Sequence, residues 1–240
     1  MALSVLFEGT VAKHEESPSD NEDAYRLAPD VGRIVLADGA SESFDARNWA
    51  QLLVDRMADE DLSVAAVGAC AQAYEAMHDP EQLTWSKAAA YQRGSFATLL
   101  VVQDLPESNL VRLSAVGDSL AVWLDGDKML ASVPYGSSEQ FLDRPTLLST
   151  RIDLNEPDGL HCSVHEWEYE EQGHRFLLCM TDALGAWLLS HQERGDASAL
   201  ESLCSIRESH ELVELVEKER AAGRMRRDDS TLIIASVTRS

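Results

Sequence analysis

Four short apolar runs in this chain stop at an aspartate or start just after one. Asp38 follows Ile34-Val35-Leu36-Ala37, Asp118 follows Ser114-Ala115-Val116-Gly117, Asp182 follows Leu177-Leu178-Cys179-Met180-Thr181, and Asp228 lies just ahead of Leu232-Ile233-Ile234-Ala235. A short apolar run that meets a turn reads as a buried strand. Carboxylates at strand ends can converge on one rim of a sheet, where they repel each other in a low-dielectric surround unless cations neutralise them. Hard divalent ions meet that need. Mg²⁺ and Mn²⁺ take oxygen ligands, and a few aspartates can hold two of them roughly 3.5–4 Å apart.

The remaining periodicity surrounds these runs with helices. Residues 3–11 and 24–27 read as strands, separated by a polar stretch. From Asp45 the pattern turns helical, with Trp49, Leu52, Leu53 and Met57 at spacings of three and four, and a second helical stretch covers 62–77. Strands follow at 94–103, 110–116 and 120–124. Asp125-Gly126-Asp127 has hairpin chemistry, so this block is expected to be an antiparallel meander. Residues 131–157, broken by Pro134, Gly136 and Pro145, form an irregular excursion. Strands return near 163–169 and 175–180, helices are expected over 183–189 and within 196–222, and a last strand covers 231–237. Helices come in groups after strands, which points to a layered α+β fold over one domain of 240 residues.

Charge narrows the function. Twenty basic residues against 42 acidic ones leave a formal charge of −22, which repels phosphate backbones and anionic lipid. Nucleic-acid and membrane partners are therefore excluded, and no stretch approaches the ~20 apolar residues of a membrane span. Cys70, Cys162, Cys179 and Cys204 are far apart and make no zinc or disulfide pattern. With no signal peptide at the start, the cytoplasm is the expected compartment. The chain has neither a Gly-x-Ser-x-Gly elbow nor a Gly-x-x-x-x-Gly-Lys phosphate loop.

Six motifs occur in order: Asn21-Glu22-Asp23-Ala24, Ala37-Asp38-Gly39, Gly94-Ser95-Phe96-Ala97-Thr98, Val116-Gly117-Asp118-Ser119, Thr181-Asp182-Ala183-Leu184 and Asp228-Asp229-Ser230-Thr231. Through them the sequence resembles the metal-dependent Ser/Thr protein phosphatases of the type 2C family over almost its whole length. The resemblance implies a four-layer α-β-β-α sandwich of two antiparallel sheets flanked by helix pairs, with a variable flap at about 132–150. It implies two Mn²⁺ or Mg²⁺ ions. Asp38 would bridge them, the Gly39 carbonyl would ligate one, and Asp182 and Asp228 would complete the other. Glu22 and Asp23 would act through water, and Asp118 would serve a third ion. Asp38, Asp182 and Asp228 are thus the expected catalytic residues, acting on a metal-shared water that attacks phosphorus in line. The implied partner is a phosphorylated protein carrying phosphoserine or phosphothreonine, and the expected state is a monomer.

The departures are specific. The family's phosphate-gripping arginine, four residues before Glu22, is Pro18 here, and Lys13, His14, Arg93 or Arg144 are the candidates to replace it. The histidine that some relatives carry after Asp-Gly is Ala40, and the usual glycine after the later aspartate is Ala183. Two other readings follow: a pseudophosphatase that binds phosphoproteins without turning them over, and a hydrolase of small phosphate esters. His161 and His165 read as surface histidines, Trp49, Trp123 and Trp187 as core anchors, and Glu208, Glu211, Glu214 and Glu217 as a solvated helix face. The net charge predicts salt-sensitive encounter, with neutral or basic phosphopeptides preferred.

Overall fold

Ile34 and Leu36 point to one side of their strand and Val35 and Ala37 to the other, yet all four are buried. A strand covered on both faces lies between two other layers, which is why its sequence is continuously apolar. The computed structural model describes residues 3–155, 160–169 and 175–238. Its strands are β1 (Leu3–Val11), β2 (Asp23–Ala28), β3 (Arg33–Asp38), β4 (Phe96–Ala97), β5 (Leu99–Leu105), β6 (Leu110–Val116), β7 (Leu120–Asp125), β8 (Lys128–Val133), β9 (Leu148–Ser149), β10 (Ser163–Glu168), β11 (Arg175–Met180) and β12 (Ser230–Val237). The helices are α1 (Ala46–Met57), α2 (Val64–Ala76), α3 (Trp85–Arg93), α4 (Asp182–Glu193), α5 (Ser198–Ser205) and α6 (Ser209–Ala221).

Two five-stranded antiparallel sheets, ordered β1-β12-β11-β7-β8 and β10-β6-β5-β3-β2, pack face to face. The expected four-layer α-β-β-α sandwich is what the chain forms. Between the sheets lie Leu36, Leu100, Leu113, Leu177 and Ile233. Helices α1 and α2 cover the outer face of the second sheet through Leu53, Met57, Val67 and Tyr74. Helices α4, α5 and α6 cover the first through Leu184, Leu188, Leu203, Leu212 and Val216. Each of the three interlayer cores holds one buried tryptophan: Trp49 under α1, Trp123 between the sheets, where half-buried Trp167 stacks on it, and Trp187 under α4.

Three expectations need correction. The block 94–130 is not one meander: β5 and β6 pair in the second sheet, whereas β7 and β8 pair in the first. The chain crosses between sheets at Gly117, whose φ of +93° suits glycine and few other residues. The expected strand 94–103 is broken at Thr98 into β4 and β5. Helix α3 is absent from the periodicity because it has no apolar stripe. It buries no residue fully, and Trp85 at its start is 87% exposed.

The irregular excursion packs against α4. Ser138 donates through its backbone N–H and its hydroxyl to the Glu193 carboxylate, at 2.7 and 2.6 Å. Phe141 sits so close to Gly185 that a Cβ there would lie 2.9 Å from the ring.

Candidate metal centre and active site

Strand register brings the aspartates to one end of the sandwich. β2 and β3 pair with Asp23 opposite Asp38. β11 pairs with β12 so that Met180 faces Leu232, and with β7 so that Met180 faces Leu120. Asp182, the first residue of α4, therefore lies beside the start of β12 and near Asp118 in the sheet-crossing turn. Asp38, Gly39, Asp118, Asp182 and Asp228 line a single cavity of about 830 Å³. Gly39 is required by close approach: a Cβ there would meet the Ala46 carbonyl oxygen at 2.8 Å.

Hydrogen bonds from distant parts of the chain hold these groups. Thr98 holds both backbone groups of Asp38: its N–H donates to the Asp38 carbonyl at 2.8 Å, and its Oγ1 accepts from the Asp38 N–H at 2.9 Å. Asp23 Oδ2 accepts from Thr231 Oγ1 at 2.6 Å and from Thr181 Oγ1 at 3.1 Å. Asp229 does not line the cavity. Its carboxylate accepts from the backbone N–H of Lys13 at 2.7 Å and of Glu22 at 2.8 Å, stapling the ends of β1 and β2 to β12. Lys13 Nζ in turn donates to Glu22 at 2.6 Å and to Ser41 at 2.7 Å. Arg220 donates to the carbonyls of Ala12 and Asp228.

The electrostatics follow from that crowding. Burial, then the charges of Asp23, Asp182, Asp228 and Asp118, push the Asp38 carboxyl well above its ordinary range. Asp23 is raised by burial above all, and Asp118 is pushed up to about 7 by burial and then by Asp182. Asp182 is also raised by burial, with Arg226 opposing the shift. Arg226 is the cation that meets these carboxylates: its guanidinium donates to Asp182 Oδ2 and lies 3.4 Å from Asp228 Oδ2. Among the described residues, no group of three or more His, Cys, Asp or Glu side chains stands ready-made at metal-ligand spacing. The donor set nevertheless suits a hard cation. It is all oxygen, and Asp23 Oδ1 and Asp182 Oδ1 are buried with no hydrogen-bond partner.

Of the proposed phosphate-gripping residues, Arg93 and Arg144 line the cavity. Lys13 is engaged with Glu22, and His14 is exposed and outside the lining. Sequence reasoning did not single out Arg226 or Asp229. The sequence carried only a weak signal for the first, a basic residue two positions before Asp228. Ala183 in place of glycine costs nothing in backbone strain, because its φ is not positive. His161 and His165 are exposed, as expected.

Neither a protein-family model nor a curated protein matches the chain in sequence. Solved structures do match. The catalytic domain of the serine/threonine protein phosphatase PstP, in complex with two manganese ions, aligns at a TM-score of 0.63 with 20% identity, covering 98% of this chain and 99% of that one. The fold is that of the serine/threonine protein phosphatases. Two further phosphatase-fold or related structures align equally well at lower identity. Stp1 of Staphylococcus aureus, a serine/threonine phosphatase, gives a TM-score of 0.62 at 14% identity, covering 98% of this chain and 96% of that chain. PppA, a regulatory component of the type VI secretion system in Pseudomonas aeruginosa, gives 0.62 at 16%, covering 98% and 97%. In this chain the phosphatase fold carries no described helix long and apolar enough to cross a membrane.

Proposed function

We propose that the protein is a metal-dependent phosphatase acting on phosphoserine or phosphothreonine in proteins. The observation that carries this reading is the convergence of Asp38, Asp118, Asp182 and Asp228 on one cavity at the end of a phosphatase-fold sandwich. Asp38, the Gly39 carbonyl, Asp182 and Asp228 are the groups that would hold two Mn²⁺ or Mg²⁺ ions, with Glu22 and Asp23 acting through water and Asp118 serving a third. When bound, the cations supply an acidified attacking water and offset charge on the phosphoryl oxygens.

The chain's own residues do the rest. Thr98, Thr181 and Thr231 hold Asp38 and Asp23 in place, so little reorganisation is needed when charge develops. Arg93 and Arg144 put positive charge on the cavity wall, where an anionic substrate enters. Ala40 offers no acid, so the leaving alkoxide takes its proton from water.

A pseudophosphatase is the second reading, favoured by the seat of Arg226 on two of the proposed ligands. Hydrolysis of p-nitrophenyl phosphate and of a phosphothreonine peptide, with Mn²⁺ and with chelator, separates the two. The enzyme reading expects Mn²⁺-dependent turnover that Asp38→Asn and Asp182→Asn abolish. Metal-independent turnover, or full activity in those variants, would sink the mechanism; phosphopeptide binding without turnover establishes the binding module.

A further inference from the structure

Arg226 is seated on two of the aspartates that would hold a metal ion. Its guanidinium bonds Asp182, reaches Asp228 at 3.4 Å and sits in the field of Asp118. Of the other cations nearby, Lys13 bonds Glu22 and Ser41, Arg227 bonds the Lys13 carbonyl at 3.2 Å and lies 3.9 Å from Glu217, and Arg93 and Arg144 line the cavity wall, whereas Arg226 is the one bonded to the aspartates. The Arg226 side chain is 52% exposed and lines the same cavity as the aspartates. Half of it is therefore free of packing, and rotation about its long stem can carry the guanidinium off the carboxylates without disturbing the core.

We infer that Arg226 is a displaceable counter-cation with two seats. In the first it neutralises Asp182 and Asp228 and competes with the metal for them. In the second, after metal entry, it binds the phosphoryl oxygens of a substrate held in the same cavity. A guanidinium fork suits both partners, since carboxylate and phosphate present the same paired-oxygen geometry. Pro18 leaves this chain without an arginine four residues ahead of Glu22, and Arg226 reaches the cavity from the segment that leads into β12. The consequence is linkage: phosphate gives the arginine its second seat, so phosphate and metal each tighten the binding of the other. The inference rests on the metal-dependent reading above.

The test measures binding, with Mn²⁺ and inorganic phosphate as the probes. Free Mn²⁺ is followed by electron paramagnetic resonance for the wild type, Arg226→Gln and Arg226→Lys, with and without phosphate, after circular dichroism has shown that each is folded. Without phosphate, Arg226→Gln is expected to bind Mn²⁺ about three- to tenfold more tightly than the wild type, the gain from losing a half-exposed competing ion pair. Phosphate is expected to tighten Mn²⁺ binding to the wild type more than to Arg226→Gln, and Arg226→Lys, which keeps the charge, is expected to fall between them. A Mn²⁺ affinity in Arg226→Gln no tighter than wild type overturns the inference, and so does an unchanged phosphate coupling. In either case Mn²⁺ binding itself leaves the metal-dependent reading standing. If neither the wild type nor Arg226→Gln binds Mn²⁺, that reading fails and this inference with it; binding by Arg226→Gln alone supports both.

Discussion

Asp23 and Asp38 are register partners across β2 and β3, two half-buried aspartates set side by side at the ends of adjacent strands. Burial is the first cause of the raised proton affinity of both, and at Asp38 the charge of Asp23 adds to it. A pair arranged this way destabilises the chain that carries it unless a cation is present, so stability and function pull in opposite directions here.

Replacing Asp38 by Asn should therefore stabilise the chelated protein while removing its response to metal. In EDTA the melting temperature of Asp38→Asn is expected to rise by about 2–4 °C, equivalent to about 1 kcal/mol in a chain of this length. Added Mn²⁺ should raise the wild-type melting temperature and leave the variant unchanged. Differential scanning fluorimetry reads both, and a lower variant melting temperature in EDTA would contradict the repulsion argument.

Stability of the chelated protein should fall as pH rises between about 4 and 7. Burial and then the charge of Asp182 push the Asp118 carboxyl up to about 7 in the folded chain, above its ordinary range. A raised carboxyl binds its proton more tightly when folded, so its contribution is complete below the unfolded value and is lost as pH climbs through the folded one. Asp118→Asn has no such proton to lose. Its melting temperature relative to wild type should be higher at pH 8 than at pH 5 in EDTA, and parallel pH profiles would refute the assignment.

Gly39→Ala places a methyl group 2.8 Å from the Ala46 carbonyl oxygen and 2.9 Å from its carbonyl carbon, at the start of α1. Backbone must move to admit it, at a cost of about 1–3 kcal/mol. Because Asp38 is the preceding residue, Mn²⁺-dependent turnover of p-nitrophenyl phosphate should fall by roughly tenfold or more, in keeping with the sensitivity of such sites to ångström shifts. Chemical denaturation and steady-state kinetics measure the two effects.

Thr231→Val removes the hydroxyl that donates to Asp23 at 2.6 Å and leaves a shape that still fills the site. Asp23 Oδ1 already lacks a partner, so the carboxylate loses one of its remaining donors. The expected loss is about 1–3 kcal/mol in urea denaturation near neutral pH. Thr231→Ser, which keeps the hydroxyl, should recover most of it; equal losses in both variants would show that the methyl group, not the hydrogen bond, was responsible.

The apolar runs before Asp38 and Asp182 and after Asp228 were legible as buried strands, and their aspartates as groups destined for one rim. Alternation and run length report how much of a strand is covered, and that is a local property of the chain. The pairing of Asp23 with Asp38 was not readable in this way, nor was the split of β6 and β7 between two sheets, because a run of residues carries no record of which strand lies beside it. Asp229 had the same composition as its neighbour Asp228. Only the fold, by bringing Lys13 and Glu22 from more than 200 residues away, turned one into a staple and left the other facing the cavity. Arg226 acquired its seat on Asp182 by the same route, across 44 residues of sequence. Sequence alone thus determined which residues could be buried and which could bear the chemistry. Tertiary structure decided who meets whom, because charge pairing and hydrogen bonding act at a few ångströms in space however far apart the partners lie along the chain.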